Sequence, residues 1–139
     1  VHSTGIDLTN GWGVALADAD QDGDLDLASS GGLYENTGVS ENWVQIRAVG
    51  NVASNRAAIG ATIRVMVGDQ VMVRHVSGGN GQGGQNDQVV HLGLGSVSTL
   101  DSVAIDFPAG GTINYAGPFD ANQRLWMYED GSTTTGWAP

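Results

Sequence analysis

Cysteine is absent from the chain of 139 residues, which excludes disulfides and thiolate metal sites but leaves the compartment open. Lysine is absent as well. Five arginines face 15 acidic residues, and the formal charge is -10. So acidic a chain repels nucleic acid and anionic lipid, whose recognition rests on basic patches. No apolar run approaches the roughly 18 residues of a membrane-spanning helix, so no membrane insertion is expected. Proline is rare, and good helix formers never cluster with a helical period. The chain opens on Val1 with no signal-like apolar segment, which points to a processed mature form.

What the chain does contain is short β-rich runs, each closed by Gly, Asn or Asp, among 22 glycines. The pattern predicts strands over 13–17, 25–29, 32–35, 42–49, 59–67, 70–76, 88–92, 102–107, 111–115 and 124–129. Ile59, Ala61, Ile63, Val65 and Val67 alternate with Thr62, Arg64 and Met66, as a half-buried strand requires. Val103, Ile105 and Phe107 do the same against Ser102 and Asp106. Gly68 and Asp69 form a two-residue turn that makes the flanking runs antiparallel neighbours. The expected fold is all-β, an antiparallel β-sandwich with an N-terminal calcium-binding β-hairpin. Composition divides it into an N-terminal segment 1–40, a sandwich 41–131 and a polar tail 132–139, the tail flexible or ordered only through Trp137.

The most specific chemical instruction is the run 18–26. Asp18, Asp20, Asp22, Asp24 and Asp26 occupy alternate positions, with Gly23 sixth. Calcium takes about six to eight oxygens, so alternating carboxylates on a loop that curls round one point suit it. Side-chain oxygens would come from Asp18, Asp20 and Asp22, the backbone carbonyl from Asp24, and a direct or water-mediated carboxylate from Asp26. An EF-hand also needs a Glu at its twelfth position and helices on both sides; here that position is Ser29 and the flanks are β-like. Magnesium fits less well, because it demands near-octahedral geometry and keeps its waters. Without a cation, five carboxylates over nine residues repel one another.

These residues resemble a known pair of modules. Gly11, Trp12, Gly13, the Asp18–Asp26 loop, Leu27, Leu33, Tyr34 and Asn36 resemble an FG-GAP/VCBS repeat, the calcium-binding blade of integrin-type β-propellers. The continuation is similar to the ASPIC/UnbV domain that follows such repeats in the cartilage acidic protein family and in many bacterial secreted proteins. The matching residues are 42–47 (Asn-Trp-Val-Gln-Ile-Arg), Asn55 and Arg56, 59–61 (Ile-Gly-Ala), 74–79 (Arg-His-Val-Ser-Gly-Gly), 91–95 (His-Leu-Gly-Leu-Gly) and 101–108 (Asp-Ser-Val-Ala-Ile-Asp-Phe-Pro). The resemblance implies an extracellular, calcium-dependent β protein for adhesion or matrix interaction, with no established catalytic residues. Two departures stand out. The chain carries one repeat where a propeller needs several, so the lone blade must pack on the sandwich or on a neighbouring chain. The glycine segment reads Gly81, Gln82, Gly83 where the family's domain often has an aromatic.

Other candidate chemistry is weaker. Residues 79–84 satisfy G-x-G-x-x-G, but a strand-like run follows where a dinucleotide site needs a helix. His75 and His91 sit on expected strands and read as packed, hydrogen-bonded residues; His2 has no companion ligand. No G-x-S-x-G elbow is present. Trp43 and Trp126 read as core residues, whereas Trp137 in the tail is the one placed to touch a partner. The primary expectation is thus a non-enzymatic, calcium-stabilised extracellular module whose partner is a protein or glycan. The alternative is a subunit that adds a strand, from Ile6–Leu8 or the tail, to copies of itself. A polysaccharide hydrolase using Asp101 or Asp106 ranks last.

Overall fold

The computed structural model describes residues 13–38, 41–79, 81 and 83–137. The segment expected to pair with another sheet (1–10), with His2, and Trp12 lie outside the described residues. The elements are β1 (Val14–Ala17), β2 (Asp26–Ser29), β3 (Gly32–Tyr34), β4 (Asn42–Val49), β5 (Thr62–Val67), β6 (Gln70–His75), β7 (Val90–Gly95), β8 (Thr99–Phe107), β9 (Gly111–Asp120), β10 (Gln123–Tyr128) and β11 (Thr133–Thr135). The described residues contain no helix, and the fold is the all-β one that the alternating pattern implies. The contacts divide the chain into two units: Val1–Ser40 with Ser77–Asp87, and Glu41–Val76 with Gln88–Pro139.

The first unit is built on a three-stranded antiparallel sheet in the order β1-β2-β3. The Asp-rich run is the connection between β1 and β2, whose register pairs Ala17 with Asp26. The glycine-rich segment 77–87, which the sequence places within the sandwich, groups with this unit instead. The reason lies at Leu16 on the outer edge of β1. Its N–H donates to Asn86 Oδ1 at 3.0 Å, and its carbonyl accepts from the Asp87 N–H at 3.0 Å. The edge that β1 would expose is therefore hydrogen-bonded locally.

The second unit holds two four-stranded sheets, β11-β10-β4-β7 and β6-β5-β8-β9. Val44, Ile46, Leu92, Leu125 and Met127 from the first meet Ile63, Val65, Leu100, Val103 and Ile105 from the second in one buried cluster, the interior of a β-sandwich. Each such side chain contributes about 1.5–3 kcal/mol by leaving water. Most ladders are antiparallel, and the hairpin at Gly68 and Asp69 joins β5 to β6 with Val67 opposite Gln70. One pair departs from the antiparallel expectation: β10 runs parallel to β4, with Gln123 opposite Val44 and Tyr128 opposite Val49. Parallel neighbours require a long crossover, and here the intervening chain supplies the entire second sheet.

Three local differences have clear causes. The run expected from residue 59 begins only at Thr62, because Ala58 at φ 51° and Gly60 at φ 95° form a turn. Ile59 is accordingly 40% exposed instead of facing the core. Trp43 and Trp126 alternate with the inward Val44, Ile46 and Leu125, which places both on the opposite sheet face; Trp43 is nonetheless buried, as expected, whereas Trp126 is half-buried. Within the polar tail, Thr133–Thr135 forms β11 against β10. Trp137 lies with Arg124 4.5 Å over its ring and Trp43 6.1 Å away, so it packs on its own sheet. The Trp126 Nε1–H donates to the Gly136 carbonyl at 2.8 Å.

Candidate functional site

The site is assembled by a turn that its own sequence dictates. Gly23 takes φ 99°, a left-handed conformation that only glycine adopts without strain, and Gln21 at φ 67° bends the chain two residues earlier. Short polar side chains then hold the curl through local bonds. Asp20 Oδ1 accepts from the Asp22 N–H at 3.3 Å, and Asp22 Oδ1 accepts from the Asp24 N–H at 2.9 Å. Asp18 Oδ2 accepts from the Gly23 N–H at 3.1 Å, closing the loop on itself.

The result is a concentrated negative site. One carboxylate oxygen from each of Asp18, Asp20 and Asp22 lies within 4.8 Å of the others. Asp18 is buried, whereas Asp20 and Asp22 are exposed, so the cluster has one inner and two outer donors. Loss of hydration raises the Asp20 pKa above the usual carboxylate range. An N–H from Asp22 acts against that rise, while the charges of Asp22, Asp26 and Asp18 add to it.

The other two predicted residues stand elsewhere. The Asp24 carboxylate lies outside the three-carboxylate group, beside Gly38. Asp26 is only 2% exposed and also falls outside the group. Its Oδ2 accepts from the Ala19 N–H and its Oδ1 from the Asn36 N–H, both at 2.8 Å. Asp26 thus clamps the start of the loop to the chain leaving β3. Asn36 is the partner that sequence reasoning left unassigned. Its spacing ten residues beyond Asp26 carries no signal until β2 and β3 are paired.

The remaining candidates are engaged structurally. Asp106 forms an ion pair with Arg64 and accepts from the Thr112 hydroxyl. The Thr112 bond first, then Arg64, holds its carboxyl below the usual range. Asp101 Oδ2 accepts from the Gly68 N–H at 2.6 Å. His75 Nδ1 lies 3.0 Å from Thr62 Oγ1, and His91 stacks on Trp43 at 6.1 Å. Glu129, which carries no motif in the sequence, is a buried carboxylate of the second unit.

Comparison with known proteins adds one result. A search of curated proteins finds no match. A family model described as ASPIC and UnbV matches residues 50–134, more than half of the chain and most of the second unit. The chain belongs to the ASPIC and UnbV family.

Proposed function

We propose that this chain is a calcium-stabilised extracellular β module that binds a protein or glycan partner and performs no catalysis itself. The observation that carries the reading is the gathering of Asp18, Asp20 and Asp22 at a turn that Gly23 permits. The donor set fits the ion. Its groups are all oxygen, its charge is concentrated, and Asp20 and Asp22 are exposed, so that waters would complete a shell of about six to eight oxygens. Asp18, Asp20 and Asp22 would hold the ion, with the Asp24 carbonyl and, through water, Asp26. Bound calcium would neutralise the mutual repulsion of the carboxylates. On this reading the first unit is an FG-GAP/VCBS-like repeat, which its β–loop–β arrangement supports.

The absence of catalysis is part of the proposal, and three features support it. Asp106 has a lowered pKa, the reverse of what a general acid of a glycosidase requires. A pocket of about 370 Å³ in the first unit is lined by Gly13, Val14, Ala15, Ala28, Ser29, Gly84 and neighbours that carry no titratable side chain. Trp126 and Trp137, both half-buried, and the buried Trp43, tilted 44° against Trp137, are better suited to packing and contact than to chemistry.

Melting curves with calcium and with a chelator test the calcium reading. Calcium at about 100 times its dissociation constant should stabilise the fold by about 2.7 kcal/mol. Identical curves would remove the central support.

Self-assembly is a second reading with its own observation. β6 is an outermost strand of its sheet, and Val71 and Val73 on it are 56% and 42% exposed. An outer strand with apolar exposed residues is a template for strand addition by another copy.

A further inference from the structure

Four consecutive backbone N–H groups converge on the carboxylate of Glu129, which is 4% exposed at the end of β10. Oε2 accepts from Asn51 at 3.1 Å, Val52 at 2.8 Å and Ala53 at 2.9 Å. Oε1 accepts from the Ser54 N–H at 3.0 Å and from its hydroxyl at 2.8 Å. The Ser54 hydroxyl in turn accepts from the Ala109 N–H at 3.1 Å, which brings the turn between β8 and β9 to the same point. Gly110 is required there, because a Cβ would stand 2.0 Å from Oε1. Asn51 and Asp130 close the other side: the Asn51 amide donates to Asp130 Oδ2 at 2.8 Å, and its Oδ1 accepts from the Asp130 N–H at 3.1 Å.

Burial alone would raise the Glu129 pKa, but the bonds from Ser54, Val52 and Ala53 outweigh it and hold the group at about 2. A run of N–H groups aimed at one point is an anion-binding nest. Bonds that do not involve the Glu129 side chain also shape this one. The Gly50 N–H donates to the Arg56 carbonyl at 3.3 Å, and the Ala58 N–H to the Asn55 carbonyl at 2.8 Å. The Asn55 side chain exchanges two bonds with Ile59, at 2.9 and 3.0 Å. At Gly50 a Cβ would meet the Asn55 carbonyl at 2.2 Å, so the loop is tightly folded in its own right.

We propose that residues 51–54 form a carboxylate-binding site, preformed by the loop itself, in which Glu129 sits as a tethered ligand. When the tethered group is removed, the site takes a free carboxylate of the size of acetate. The donors favour that class of ligand. They divide between two oxygens a carboxylate's width apart, which a spherical chloride does not span.

Glu129→Ala removes the atoms that acetate would restore. The test is thermal unfolding of this variant at neutral pH in sodium acetate and in sodium chloride of equal ionic strength. The variant should melt below the parent in chloride. In acetate its Tm should rise by several degrees for each rise of about tenfold above the dissociation constant, while the parent does not respond. Ser54→Ala in the same background should weaken the response. If the variant fails to fold in chloride, recovery of its β-sheet signal in acetate is the equivalent positive result. Equal melting, or equal failure to fold, in the two salts overturns the proposal, because the loop would then be shaped by Glu129. An equal acetate response in the parent overturns it as well.

Discussion

At the scale of single residues, two carboxylate settings behave in opposite ways. Glu129 is stabilised in its ionised form, so its folded pKa of about 2 lies below the unfolded value of 4.5. Its stabilising contribution is complete above about pH 4.5 and is lost as pH falls toward 2. Stability followed from pH 6 to 2 should therefore fall more steeply in the parent than in Glu129→Gln, which should also melt several degrees lower near neutrality. Asp22 is the contrasting case. Asn at this position keeps an Oδ1 for the Asp24 N–H and removes one charge from the cluster. Without calcium, Asp22→Asn should be as stable as the parent or more so; its calcium affinity should fall by about tenfold or more. The Asp loop was legible because its alternating acids and glycine are contiguous in sequence. Glu129 was not, because its partners are 75–78 positions away and are backbone N–H groups that any residue carries.

At the scale of elements, strand existence was largely written in the alternation of apolar and polar residues, and 42–49 is found with both its expected ends. The interior it defines is tight: Leu125 is 1% exposed, and Leu125→Ala should lower unfolding free energy by about 2–5 kcal/mol in urea titration. Alternation does not say which neighbour a strand will take. The parallel docking of β10 on β4 follows from packing of Leu125 and Met127 beside Val44 and Ile46, which no local pattern encodes. Likewise β11 was missed because Thr133, Thr134 and Thr135 are all exposed and show no period. It is held instead by main-chain bonds and by the contacts of Trp126, Arg124 and Trp137. Trp137→Ala should cost about 1 kcal/mol through loss of the Arg124 and Trp43 contacts, with an altered Trp43 fluorescence as the companion readout.

At the scale of the whole molecule, composition set limits that hold across the chain: an acidic charge of -10 without lysine and no cysteine; the described residues form strands and no helix. Membership of the ASPIC and UnbV family follows from residues 50–134, whereas the Asp18, Asp20 and Asp22 cluster lies before them. The two proposed whole-molecule behaviours are separable. If copies add strands at β6, light scattering of concentrated protein with calcium should show assemblies that Val73→Lys removes; a monomer in both samples would leave only the binding-module reading. Calcium itself is addressed by calorimetric titration of the chelator-treated chain, alongside Asp20→Asn/Asp22→Asn. About one equivalent of saturable binding to the parent is expected, accompanied by a rise in Tm, and neither effect in the double variant. No binding heat and an unchanged Tm in the parent, or equal binding by the double variant, would contradict it.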